Sequence, residues 1–149
     1  MRIGMAVDNF ESANAKARAR HLAPGLIHLT LEGRVDDEVF EFVHAAANPA
    51  LATGGITMFF DTTALTDFTS SFRLRMMDWQ AETKGRQFQV VLLRSRLVAL
   101  AIATANKIVG GGVVVTASRE HFDRLLADAV RSRFPEVEGS EVKSHLPRL

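Results

Sequence analysis

The chain has 149 residues, of which 47% are hydrophobic and 23% charged, with a net charge of +1 and no cysteine. That length suits one domain with a two- or three-layer core. The near-neutral balance argues against a nucleic-acid-binding field or a polybasic membrane attachment, and the absence of cysteine excludes disulfides, thiolate metal sites and cysteine nucleophiles.

The start of the chain does not read as a signal peptide, because Asp8, Glu11 and Lys16 follow the short apolar beginning at once. The longest apolar stretch, residues 97–109, is broken by Thr104, Asn106 and Lys107 and is too short to span a bilayer. The expectation is a cytoplasmic, single-domain protein. Residues 1–16 are read as an N-terminal extension, 17–131 as the domain and 132–149 as a polar surface tail.

Residues 1–7 suit a short strand or a loose start. Residues 9–20 are polar and Ala-rich, which reads as a weak helix or a linker. Pro24 and Gly25 signal a turn, with residues 17–22 as one arm of a hairpin. Residues 27–32 then alternate apolar and polar, the pattern of a half-buried strand. Asp36 or Asp37 caps the next element, in which Val35, Val39, Phe42, Val43 and Ala46 recur at helical spacing. Asn48 and Pro49 are expected to stop that helix.

Residues 56–60 form a continuous apolar run, as in a strand covered on both faces. A loop is expected from Asp61, leading to a helix over about 71–83 with Ser70 or Ser71 as cap. Phe72, Met76 and Trp79 make its apolar stripe, and Gly85 follows its end. Residues 88–93 read as another buried strand, with Ser95 capping the helix beyond. That helix, about 96–109, is apolar almost all round, so a sheet covers one side and the other should meet another chain or a ligand. Leu97, Leu100, Ala101, Thr104 and Ile108 are the candidate dimer or apolar-ligand surface. Gly110 to Gly112 end it, residues 113–116 make a β-branched strand, and Ser118 caps a last helix with Phe122, Leu125, Leu126, Ala129 and Val130 as its stripe.

The order is β-β-α-β-α-β-α-β-α. It implies an α/β fold with a central mixed, mostly parallel sheet and helices packed on it. Polar chemistry concentrates at the junction from Asp61 to Arg75. A phosphate at Ser70 would meet free N–H groups at a helix start, with Arg73 and Arg75 in reach; plain capping is the alternative use of these serines. Asp61 and Asp67 suit a cation or acid–base work only if a third group joins them; otherwise they form turns. The five histidines show no metal spacing, and Gly110 to Gly112 follow a helix, the reverse of a dinucleotide loop. No nucleophile–base set, metal site or cofactor loop is evident, so the chain is not read as an enzyme and no cofactor is expected.

Asp61 at a strand end, followed by Thr69, Ser70, Ser71, Phe72 and Arg73 at a helix start, resembles the STAS domain of bacterial anti-sigma-factor antagonists and stressosome proteins. In that family an acid-Ser-Ser-Gly-Leu box opens the helix. Here Thr69 stands in the acid's place and Phe72 in the glycine's, while Ser70 falls on the serine that family kinases phosphorylate. The resemblance covers about residues 17–130. It implies a non-enzymatic regulatory or scaffolding module of bacterial signalling that acts on a protein partner, such as a kinase, and self-associates as a homodimer. The similar SpoIIAA-like, STAS/SEC14-like branch implies the alternative of a small apolar-ligand or lipid-binding protein.

Overall fold

Residues 6–96 and 112–133 are described by a computed structural model. In chain order the elements are β1 (Ala6–Glu11), β2 (Ala15–Ala23), β3 (Leu26–Val35), α1 (Asp37–Thr53), β4 (Ile56–Phe68), α2 (Ser70–Glu82), β5 (Gln87–Leu92), β6 (Val113–Thr116) and α3 (Arg119–Ser132). The six strands lie side by side in chain order. β1, β2 and β3 run antiparallel, whereas β3 to β6 are parallel. This is the expected mixed α/β sheet.

The segment 9–20 is neither helix nor linker. Ala15, Ala17 and Ala19 are buried while Lys16 and Arg18 are exposed, a period of two that only a strand can satisfy. The small alanines share a core with Val39, Phe40 and Val43 of α1. β1 pairs with β2 from Ala6↔His21 to Glu11↔Lys16, so residues 6–11 of the segment expected as an extension belong to the sheet. At the far end of the hairpin, Gly33 has a φ of +82°, and a Cβ there would stand 2.3 Å from the Asn14 carbonyl oxygen. That close approach lets Arg34 N–H donate to the same oxygen at 2.9 Å.

Asp36 caps α1, its Oδ1 accepting from the N–H groups of Glu38 and Val39 at 3.1 and 3.3 Å. The helix does not stop at Pro49 but continues to Thr53. An interior proline costs about 3 kcal/mol, and burial of Ala47 and Leu51 on either side of it offsets that cost. β4 also outruns its expected end at residue 60. Leu65, Asp67 and Phe68 stay paired with Gly33, Arg34 and Val35, the first past one register shift and the other two past a second, so the stretch expected as a loop is strand.

α1 and α2 pack on one face of the sheet, through Val39, Phe40, Val43, Phe72 and Trp79 against Leu29, Leu31, Met58 and Phe60. α3, capped by Ser118 as expected, packs on the other through Phe122, Leu125 and Leu126 against Leu26, Phe59 and Leu92. β5 reverses the expected burial. Gln87 and Gln89 point inward and Phe88 is half exposed. The glutamines are satisfied by a relay: Gln89 Nε2 donates to Gln87 Oε1 (2.6 Å), Gln87 Nε2 to Thr83 Oγ1 (2.8 Å), and Thr83 Oγ1 to Trp79 O (2.8 Å). Buried amides are tolerated when partnered in this way. The apolar surface assigned to Leu97, Leu100, Ala101, Thr104 and Ile108 lies outside the described residues. No described helix is long and apolar enough to cross a membrane.

Candidate functional site

The start of α2 is built differently from the sequence expectation. Thr69, and neither serine, is the cap: its Oγ1 accepts from Phe72 N–H at 3.0 Å. Its own N–H donates to Val35 O at 3.1 Å, which ties the helix start to the end of β3. Ser70 is the first residue of the helix and is exposed. Ser71 Oγ donates to Asp37 Oδ2 at 3.0 Å, so it faces the acidic first turn of α1.

The two arginines separate. Arg75 Nη2 donates to Glu41 Oε2 at 2.5 Å, and its guanidinium lies 4.3 Å above the Phe40 ring, so it braces α2 against α1. Arg73 remains exposed, its one polar contact among the described residues being a weak one to Met77 Sδ at 3.6 Å. No acid occupies the first turn of α2, so Arg73 stands uncompensated at the positive end of the helix.

Asp61 stands apart from this group. It lies within β4 on the opposite face, 9% exposed, where its Oδ2 accepts from Arg119 Nη1 at 2.8 Å. Its Oδ1 accepts from Thr63 N–H and Oγ1 at 3.1 and 2.7 Å. Burial pushes its carboxyl up, but the bonds from Thr63 and the Arg119 guanidinium outweigh burial and hold it below the usual carboxylate range. Asp61 thus fastens α3 to the sheet. Asp67 does not join it: six residues of strand separate the two by about 20 Å, and Asp67 pairs instead with Arg34 at 3.4 Å. No group of three metal-ligating side chains occurs among the described residues.

Beside the α2 start lies an apolar groove of about 220 Å³ between α2 and strands β3 to β5. Phe60, Leu65, Phe72, Met76 and Val91 line it, with Phe68, Met77 and Arg73 at its sides. Phe68, Leu74 and Met77 are 46%, 50% and 50% exposed. Gln89, the end of the buried amide relay, supplies a polar contact in the wall. The sequence signal for the groove is the apolar stripe of α2, of which Phe72 and Met76 line it. Its other wall was concealed because residues 61–68 were expected to be loop.

Neither a known family profile nor a curated protein matches the chain. A solved structure does match in shape: an uncharacterised DUF3478-family protein with a SpoIIAA-like fold from Shewanella loihica PV-4. It has a TM-score of 0.57 at 15% identity, over 83% of this chain and 94% of that one. The chain has a SpoIIAA-like fold. At that identity the likeness establishes the architecture, and the site must be argued from its own side chains.

Proposed function

We propose that the chain is a non-enzymatic docking module whose groove beside α2 receives the apolar side chains of a protein partner. The observation that carries this reading is the exposed apolar rim of Phe68 and Met77 at a preformed cleft. Soluble surfaces rarely leave contiguous apolar area uncovered without a use for it. Size favours side-chain anchors over a carried molecule. The cleft of about 220 Å³ is below the roughly 300–1,000 Å³ usual for small-molecule sites. Exposed Arg73 at the rim suits a partner that brings a carboxylate beside its apolar anchors. Ser70, also exposed at this helix start, is a point where an added phosphate would change that charge balance.

The apolar-ligand reading keeps one specific support: apart from Thr62, Arg73, Gln80 and Gln89, the groove wall is apolar. One experiment separates the two. A photo-reactive side chain is placed at Met77 in the full chain, the protein is irradiated in its own cells, and the adducts are identified by mass spectrometry. One recurrent polypeptide adduct, lost when Leu65 is replaced by Glu, supports docking. A recurrent small apolar adduct transfers the groove to a ligand. Adducts no more selective than those of a probe at exposed Arg124 would defeat both readings.

A further inference from the structure

The second face of the sheet is covered unevenly. α3 lies over the middle of it through Phe122, Leu125 and Leu126. On that side the cluster around Phe122 reaches β2 at Leu22 and Ala23. Alternation puts Lys16, Arg18 and Arg20 of β2 on this face, because Ala15, Ala17 and Ala19 take the other. Side chains two apart on a strand stand about 7 Å from each other, so the three cations form a row.

Compensation falls away along that row. Lys16 has Glu11 on one side and Glu32 on the other in the strand register. Arg18 lies between Asn9 and Thr30, and its Nε donates to Asn9 Oδ1 at 3.2 Å. Arg20 lies between Val7 and His28, neither of them acidic. Arg20 Nε and His28 Nδ1 are both buried and both lack a hydrogen-bond partner. Buried polar atoms almost always have one. An arginine Nε can only donate, so it calls for an acceptor, and His28 Nδ1 calls for one too whenever it carries a proton.

The charged groups around His28 do not supply it. Arg20 faces it from β2, Asp61 from β4, and Arg119 and Asp123 from α3. Asp61 is already held by Arg119 and Thr63. Asp123 is exposed and makes no hydrogen bond to either orphaned atom. The ring of Phe122, 6.0 Å from the imidazole, closes the α3 side of the seam.

We infer that the seam between Arg20, His28 and α3 binds an oxyanion, a phosphate-type or carboxylate group, with Arg20 and His28 as its donors. Burial and then the Arg20 charge hold the His28 imidazole below its ordinary value, so without a ligand it is neutral near pH 7. A bound anion reverses the local field and favours the imidazolium. Proton and anion binding then reinforce each other. A rise of one unit in the His28 pKa corresponds to about tenfold tighter binding at a pH where His28 is protonated. The site is on the face opposite the groove and does not depend on the docking function proposed above.

The test uses the full chain, with the His28 ring followed by NMR from pH 5 to pH 8. Sulfate is the tetrahedral probe, because it does not titrate in that range. Acetate is the carboxylate probe, and chloride at equal ionic strength is the control. The expected result is a saturable shift of the His28 resonances and a raised His28 pKa with sulfate or acetate. Binding should be about tenfold weaker at the alkaline end and lost in Arg20→Gln. Which probe acts decides between the phosphate-type and carboxylate readings. If Arg20→Gln does not fold, Arg20→Lys keeps the charge without the forked donors and should still weaken binding. A His28 titration unmoved by either oxyanion, or moved equally by chloride, would overturn the inference.

Discussion

Replacing Phe122 by Ala should come close to detaching α3. Phe122 is the one fully buried residue of that helix, at 0% exposure. Its ring packs among Leu26, Phe59 and Leu92, with an edge-on contact to Phe59 at 5.6 Å. Leu125, Leu126, Ala129 and Val130 are only partly buried and cannot replace it. Truncating a buried phenylalanine costs roughly 3–5 kcal/mol, transfer and cavity together. The ring pair with Phe59 accounts for about 0.5–1.5 kcal/mol beyond area burial. The wall residues belong to strands held by their own ladders and have little room to collapse, so the upper half of the range is expected. The assay is urea unfolding followed by circular dichroism, with amide exchange to show whether α3 opens alone. Phe122→Leu retains most of the volume and should cost less than about 1.5 kcal/mol. A loss for Phe122→Ala within about 0.5 kcal/mol, the range of ordinary surface changes, would refute this account of how α3 is anchored.

Thr69→Ala should destabilise by about 1 kcal/mol through loss of the cap, whereas Ser70→Ala should be near neutral; thermal melts of both variants distinguish them. Ser70→Asp should stabilise slightly, by about 0.3–1 kcal/mol through the helix dipole, while Ser71→Asp, set against Asp37, should destabilise. Equal effects at the two positions would contradict the placement of these serines. Asp61 has a folded pKa below its unfolded one, so its contribution is present above the unfolded value and disappears as pH falls through the folded value. The acid limb of stability against pH should therefore flatten in Asp61→Ala. His28, also lowered, takes up its proton more readily when unfolded, so stability should fall as pH drops below about 6.5 toward its folded value. His28→Gln should remove that part of the profile, measured by unfolding at successive pH values.

The legible parts of this protein were those with a local cause. Asp36 and Ser118 cap helices because a short oxygen-bearing side chain before an amphipathic run satisfies the first free N–H groups. The β3 strand and the α3 stripe were readable because their periods, two and 3.6, are set by backbone geometry. The resemblance carried by Asp61, Ser70 and Ser71 led to the right fold, although Asp61 lies inside a strand and Thr69 does the capping. The alternating alanines of β2 have a helix former's composition, and only α1 lying over them turns that alternation into a strand. Similarly, residues 61–68 remain extended because β3 runs alongside, although their Thr and Asp content favours a loop.

The functional surfaces belong to the same second category. The groove requires β4 to continue to Phe68 and α2 to lie across it, and Arg75 leaves the helix start because Glu41 and Phe40 of α1 hold it. Arg20 and His28 meet through strand register, eight residues apart in the chain. Sequence by itself determined the caps at Asp36 and Ser118, the periods of β3 and α3 and the alternation of strands and helices after β3, since these follow from contacts a few residues long. Only the tertiary structure decided which strands continue, which polar atoms are left without partners and which apolar faces stay uncovered. Those outcomes depend on what packs against each segment from elsewhere in the chain.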